Sequence, residues 1–310
     1  MDAQESGRAW PAIMRSFILL LLFASTNVLA GEPALLKVMT LNVAHARSDG
    51  PSQLFQSEDQ AVLNLWKIVD VLKREEPHVA AFQEIDKNSF WNGRFNHTEF
   101  LAERANYPHH FSGAHIDGDK LEYGTALISR LSMKETTSVK FDRPFARPRK
   151  GFVISTARWP ESNNIDVDIV SVHFDFLRRS QRLKEAKKLI AALEDRSNPR
   201  IIMGDLNSDY GGDNLLIPLL EDALGVSTWE PHAEIVTFPK LQKRLDWVLV
   251  SNDIEIVSHA ILSDTLSDHR AVVAELRLLK IRGPGARFIQ QLDPVAPALA
   301  GTLHRSHESH

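Results

Sequence analysis

Ionisable and amide side chains stand where apolar runs end. Met39-Thr40-Leu41 stops at Asn42, and Ala80-Ala81-Phe82 stops at Gln83-Glu84. Ile169-Val170-Ser171-Val172 stops at His173, and Ile201-Ile202-Met203 stops at Gly204-Asp205-Leu206-Asn207. Asp246 opens Leu245-Asp246-Trp247-Val248, and Asp268-His269 stands just before Ala271-Val272-Val273. Burying any of these groups alone at the rim of a core strand costs several kcal/mol. Six such rims make sense if they converge and neutralise one another around a cation. Taken singly, each is a turn former, a helix cap or a satisfied core histidine; the joint occurrence raises them to a candidate site.

The residue types suit phosphoryl chemistry. Glu84 and Asp268 offer hard carboxylate oxygens, and Asn42 an amide oxygen, to magnesium or manganese, which keep several waters and bind phosphate oxygens. A histidine among carboxylates can act as a base toward water. A second histidine and an asparagine can donate hydrogen bonds as charge builds on non-bridging oxygens. The chain has no cysteine, which removes thiolate nucleophiles, disulfides and structural zinc clusters. A catalytic metal here must therefore rest on oxygen and imidazole ligands.

The elements that must position these groups alternate along the chain. Strand-like segments lie at Leu36 to Val43, Val79 to Phe82, Gly124 to Ser129, Phe152 to Ala157, Val167 to Phe174, Ile201 to Met203, Trp247 to Val250 and Ala271 to Leu276. Val62, Leu65, Trp66, Val69 and Leu72 recur at helical spacing, and Pro77 closes that helix. Arg178 to Leu193 is a second helix, with Leu183, Ala186, Leu189, Ile190 and Leu193 on one face. No internal repeat is visible.

In family order from residue 36 to residue 278, the segments Thr40-Leu41-Asn42, Gln83-Glu84, Tyr123-Gly124 through Ile128-Ser129-Arg130, Ser171-Val172-His173, Gly204-Asp205-Leu206-Asn207, Arg244-Leu245-Asp246 and Ser267-Asp268-His269 resemble the endonuclease/exonuclease/phosphatase superfamily, the deoxyribonuclease I-like phosphoesterases. The resemblance implies a four-layer α/β/β/α sandwich, two packed mixed sheets with flanking helices and the site at one end. It implies Glu84 as main metal ligand with Asn42 and Asp268 nearby, and His269, paired with Asp246, as base or water-orienting residue. Asp205 and Asn207 would position nucleophile and phosphate, and His173 would stabilise the charged transition state. Water would attack phosphorus in line with no covalent enzyme intermediate. One departure stands out. Abasic-site endonucleases carry an acidic residue two positions after the asparagine, where this chain has Ala44 followed by His45, and an aromatic residue where it has His173. Both differences point toward the histidine-bearing nucleases, sphingomyelinases and phosphatases.

Basic and aromatic segments fit an anionic substrate. Trp91 to His97 follows Glu84 and contains Arg94, a phosphate-gripping candidate; Tyr123 opens its matched segment; Arg178 and Arg179 follow His173. Arg143, Arg147, Arg149 and Lys150 fill a proline-broken loop, where the plain alternative is a solvated charge run. The net charge of -4 gives no global cationic field for gripping duplex nucleic acid. There is no long hydrophobic hairpin for membrane insertion and no stacking series for single strands. The expected substrate is a modest phosphodiester, a lipid headgroup or a nucleotide derivative, hydrolysed by a monomer with no obligate protein partner. A secreted nuclease on the same scaffold and a non-catalytic binding module are the alternatives.

Residues 1–30 have the form of an export signal: Arg8 and Arg15 flank an apolar run from Phe17 to Phe23, and Val28-Leu29-Ala30 offers a cleavage site after Ala30. The expected location is secreted or periplasmic, with anchoring to the membrane through residues 16–30 as the alternative. The catalytic domain then spans 31–280. A flexible tail follows at 281–310, whose His304, His307 and His310 have nothing to fix a metal geometry.

Overall fold

The computed structural model describes residues 34–143, 147–162, 164–211 and 215–279. The expected export signal at 1–30 and the expected tail at 281–310 lie outside the described residues. Two six-stranded mixed sheets pack face to face with helices on both outer faces. The first sheet contains β1 (Leu36–Asn42), β2 (Val79–Asp86), β3 (His109–Gly118), β4 (Leu121–Ser129), β11 (Ile254–Ile261) and β12 (Val272–Leu278), in the order β11-β12-β1-β2-β4-β3. The second contains β5 (Met133–Lys140), β6 (Gly151–Arg158), β7 (Asp166–His173), β8 (Arg200–Asp205), β9 (Val226–Thr228) and β10 (Asp246–Ser251), in the order β5-β6-β7-β8-β10-β9. This is the expected four-layer sandwich.

The two sheets repeat one topology. In each, the third and fourth strands are parallel and joined through a helix, and all other pairings are antiparallel. The linking helices are α1 (Glu58–Glu75) and α3 (Arg179–Leu193). The repeat is architectural and circularly permuted, since β11 and β12 complete the first sheet, so it leaves no tandem signature in the sequence.

Local chemistry defines the helices. Ser57 caps α1 by accepting from the Gln60 N–H; Glu58 and Asp59 sit in its first turn and Lys73 and Arg74 in its last. Glu76 closes it in the left-handed region. Its buried stripe is Ala61, Leu65, Ile68, Val69 and Leu72, rotated from the one expected, and Trp66 instead sits half exposed against the Phe100 ring. Helices α2 (His97–Arg104) and α4 (Leu216–Leu224) complete the outer layers.

Strand alternation aims the polar residues. In β1, Met39 and Leu41 face the helices while Leu36 and Val38 face the gap between the sheets, which puts Thr40 and Asn42 in the gap. In β7, Val170 and Val172 face outward, so Ser171 and His173 face the gap. The same count places Asp205 of β8 and Asp246 of β10 there. Between the apolar interior and the charged end lies a layer of Thr40, Gln83 and Ser171. Gln83 donates to Thr40 Oγ1 at 3.2 Å and to Ser171 Oγ at 3.1 Å, which bridges the two sheets.

α2 carries a buried cost. His97 is fully buried, and both its ring nitrogens lack a hydrogen-bond partner among the described residues. Burial pushes its pKa down to about 4, so it is neutral at pH 7. The folded pKa lies below the unfolded value of about 6.5, so the stability contributed is complete above that pH and is lost as pH falls toward 4. His97→Met should flatten this dependence, with a Tm loss between pH 7 and 4.5 smaller than wild type by several degrees, because about 1 kcal/mol moves a domain of this size by about 2–4 °C. Calorimetry at the two pH values checks it, and parallel curves would refute it.

Candidate active site

The parallel strands β1, β2, β7 and β8 deliver their C-terminal residues to one end of the sandwich, and the antiparallel β10 begins there. Asn42 pairs with Gln83 in register, His173 with Asp205, and Asp205 with Asp246. Glu84 would face the helices if β2 kept its alternation. A bulge between Gln83 and Ile85, with Glu84 at φ +49°, turns it toward the second sheet. Gly204 has φ +145°, and a Cβ there would lie 2.0 Å from the Val172 carbonyl oxygen, so no other residue fits beside Asp205.

Asp205 is the hub. Its Oδ2 accepts from Asn42 Nδ2 at 2.9 Å and faces His173 Nε2 at 3.3 Å and His269 Nε2 at 3.8 Å; its Oδ1 accepts from the Asn207 N–H at 2.9 Å. Burial lifts its pKa to about 6 against the pull of His269, with Asp246 adding to the rise. Asp246 Oδ2 accepts from Thr237 Oγ1 at 2.7 Å and pairs with His269 Nδ1 at 2.9 Å. Burial alone would lower His269, but Asp246 and then Asp205 outweigh it and raise the imidazole to about 10. His269 is thus an imidazolium clamped between two carboxylates.

Glu84 forms a second pole. Lys150 Nζ donates to its Oε1 at 2.9 Å and lies 3.2 Å from His173 Nδ1. Burial works to raise the Glu84 pKa, yet the Lys150 ammonium outweighs it and holds the carboxyl well below the usual carboxylate range. His173 is driven the other way, by burial and by the Lys150 ammonium, and is neutral. Because the ammonium can only donate, Nδ1 of His173 is the acceptor and Nε2 carries the proton. That proton points at Asp205 Oδ2. Asn207, at φ +48°, donates through Nδ2 to the Phe174 carbonyl at 3.0 Å and lies 3.2 Å from His173 Nε2.

Beside the expected metal set of Asn42, Glu84 and Asp268, the described residues bring together a second group of donor side chains. Ligand atoms of Asp205, Asp246 and His269 lie within 4.8 Å of one another. Asp246 Oδ1 is buried without a hydrogen-bond partner among the described residues, a lone pair open to a cation. Asn42 Oδ1 accepts from the Ala44 N–H at 3.0 Å. Asp268 accepts from Arg47 at 2.7 Å and Lys240 at 3.1 Å, contacts that hold its pKa down against burial. Glu84 retains Oε2 on the side away from Lys150. The donors present are carboxylates, an amide and imidazoles, a set that suits a divalent cation.

Of the expected substrate contacts, Tyr123 is buried beside the site with its ring 4.7 Å from His45. Arg94 is exposed and reaches only the Asp119 carbonyl oxygen at 3.4 Å. Arg178 is exposed at the start of α3. Among the described residues no hydrogen bond joins either arginine to the cluster. In the basic loop, Arg147 pairs with Asp175. Lys150, which reads in sequence as part of a basic loop, immediately precedes β6 and stands at a strand rim as His269 does before β12. Arg47, His45 and Asp86 are further members of the cluster that do not end an apolar run as the other site residues do.

The model of the Endonuclease/Exonuclease/phosphatase family matches residues 39–269. The chain belongs to the endonuclease/exonuclease/phosphatase family. Members of this family hydrolyse phosphate esters, and the match contains the whole cluster from Asn42 to His269. No match to a curated protein sequence was found. Among solved structures, a family member from Beutenbergia cavernae DSM 12333 is 19% identical, with a TM-score of 0.63 over 79% of this chain and 72% of that one. A mannosyl-6-phosphatase from Bacteroides thetaiotaomicron VPI-5482 is 16% identical, with a TM-score of 0.60 over 78% of this chain and 99% of that one. The human nocturnin catalytic domain with bound sulfate is 14% identical, with a TM-score of 0.60 over 79% and 94%. At these identities the likeness is one of fold.

Proposed function

We propose that this endonuclease/exonuclease/phosphatase family chain is a divalent-metal-dependent phosphodiesterase that acts outside the cytoplasm on a modest anionic phosphodiester, a lipid headgroup or a nucleotide derivative. The observation that carries the reading is the convergence of Asn42, Glu84, His173, Asp205, Asn207, Asp246 and His269 at one end of the sandwich, linked by hydrogen bonds and by the Glu84–Lys150 and Asp246–His269 ion pairs. Glu84, with the Asp205 and Asp246 carboxylates opposite, supplies donors for a cation, which when bound neutralises charge on a non-bridging phosphate oxygen.

The chain's own residues then divide the work. Asp205, backed by the His269 imidazolium, orients the water whose oxygen forms the new bond to phosphorus, and the proton released passes to the Asp205 carboxylate and from there to solvent. The ester P–O bond breaks on the opposite side, and the departing oxygen is reprotonated from solvent. His173, held neutral with Nε2–H pointing inward, and Asn207 donate to the oxygens on which charge accumulates. The export signal at residues 1–30 supports action beyond the cytoplasm.

Hydrolysis by the protein from Gly31 on is the test. Plasmid DNA, bis-p-nitrophenyl phosphate, sphingomyelin, phosphatidylinositol and inositol phosphates would each be offered with magnesium, manganese or EDTA. Cleavage of one class, abolished by EDTA and restored by metal, is the expected result. Plasmid nicking alone would replace the reading with an extracellular nuclease, and EDTA-insensitive cleavage would remove the metal.

A further inference from the structure

Three successive residues that are not glycine, Ala44, His45 and Ala46, hold φ of 47°, 58° and 58° just beyond β1. The left-handed region costs such residues roughly 1–2 kcal/mol each, so something must hold them there. The segment is tied through the His45 carbonyl oxygen, which accepts from Gln56 Nε2 and from Asn92 Nδ2, each at 2.9 Å. The result is a buried imidazole, 6% exposed, aimed at Glu84.

The ring is fixed on all sides but one. Nδ1 lies 3.2 Å from Asp86 Oδ2 and 3.3 Å from Oδ1. Asp86 is itself buried and accepts from Ser89, Trp91 and Asn92. The Trp91 and Tyr123 rings stand edge-on to the imidazole at centroid distances of 5.3 and 4.7 Å. With Nδ1–H donating to Asp86, Nε2 presents its lone pair. Among the described residues it makes no hydrogen bond, and it faces Glu84 Oε2 at 3.7 Å. This is the oxygen that Lys150 leaves open. Two donors each about 2.1 Å from a shared cation stand about 3.0–3.5 Å apart, so 3.7 Å closes on a metal with a shift of a few tenths of an ångström.

We propose that His45 Nε2 and Glu84 Oε2 jointly ligate the divalent cation, with Asp86 orienting the imidazole, so that the site selects manganese over magnesium. A ligating histidine typically donates its other ring N–H to a carboxylate, and imidazole suits later divalent metals better than the hard, hydrated magnesium ion. The inference rests on the metal dependence proposed above.

The test uses the full chain and metal alone. Anomalous diffraction from crystals soaked in manganese chloride should place a peak within bonding distance of both His45 Nε2 and Glu84 Oε2. Calorimetric titration should show manganese binding at least about tenfold tighter than magnesium, the scale on which imidazole-supporting contacts set metal affinity. His45→Asn should erase that preference while keeping the fold, because asparagine tolerates the left-handed region better than most residues. Asp86→Asn should weaken manganese binding by about 10–100-fold. A peak on Glu84 remote from Nε2, no peak at all, or an unchanged manganese preference in His45→Asn would overturn the assignment. Hydrolysis of bis-p-nitrophenyl phosphate, assayed separately, reports on the phosphodiesterase reading whichever way the metal result falls.

Discussion

Replacing His269 with Ala should lower kcat by about 10²–10⁴-fold with the substrate class unchanged, the range in which positioned proton-transfer groups contribute. His269 touches Asp246 at 2.9 Å and stands 3.8 Å from Asp205, so its loss strips the hub of its nearest cation and of the group that backs the attacking water. The same change leaves Asp246 buried, with one oxygen already unpartnered and the other reduced to Thr237. Breaking a buried pair in this way costs about 3–5 kcal/mol. Turnover therefore has to be read below the variant's own Tm. His269→Gln controls for this, since its amide can still donate to Asp246 but cannot carry charge or a transferable proton. A well-folded His269→Gln protein that keeps wild-type kcat would remove His269 from the chemistry, while loss of activity with an intact Tm would hold it there.

Much of this arrangement was legible in the sequence because central strands in a sandwich are buried on both faces. β1, β2, β7, β8 and β10 are nearly continuous apolar runs, so a polar residue at their ends stands out. The strands that left no readable signal are β3, β5, β9 and β11, and these are the four sheet edges. An edge strand pairs on one side only and wets much of its length: β5 is Met-Lys-Glu-Thr-Thr-Ser-Val-Lys, exposed over most of its residues. Its pattern follows solvent rather than a core. Part of the site was hidden for a different reason. Lys150 and Arg47 belong to basic segments whose ordinary fate is solvation, and only the third dimension shows Lys150 inserted between Glu84 and His173. His45 was visible as a departure from one branch of the family. Its pairing with Asp86 depends on a backbone excursion that composition does not encode. Arg94 and Arg178, near catalytic residues in sequence, are exposed side chains outside the hydrogen-bonded cluster of the described residues.

Glu84→Gln should abolish metal-stimulated hydrolysis and weaken manganese binding by at least about 100-fold, more than the loss of a residue that merely orients a ligand. The amide keeps the shape of the carboxylate but removes the charge that Lys150, His45 and His173 all face. That charge also supports the fold. Without it the Lys150 ammonium stays buried beside a neutral imidazole, with no carboxylate partner of its own, so stability should fall alongside metal binding. The two losses separate in a double variant. Glu84→Gln combined with Lys150→Met puts an apolar chain of similar length against His173 and removes the stranded cation, so Tm should recover toward wild type. Metal binding and turnover should not recover, because the oxygen that faces His45 is still uncharged. Titration calorimetry and thermal melts on the two single variants and the double give the full cycle. If the double variant regained manganese affinity together with Tm, Glu84 would be a structural counter-charge for Lys150, and the cation would have to be held by Asp205 and Asp246 instead. If Tm alone returned, the carboxylate would be doing two separable things, holding a lysine in the resting site and a metal in the working one.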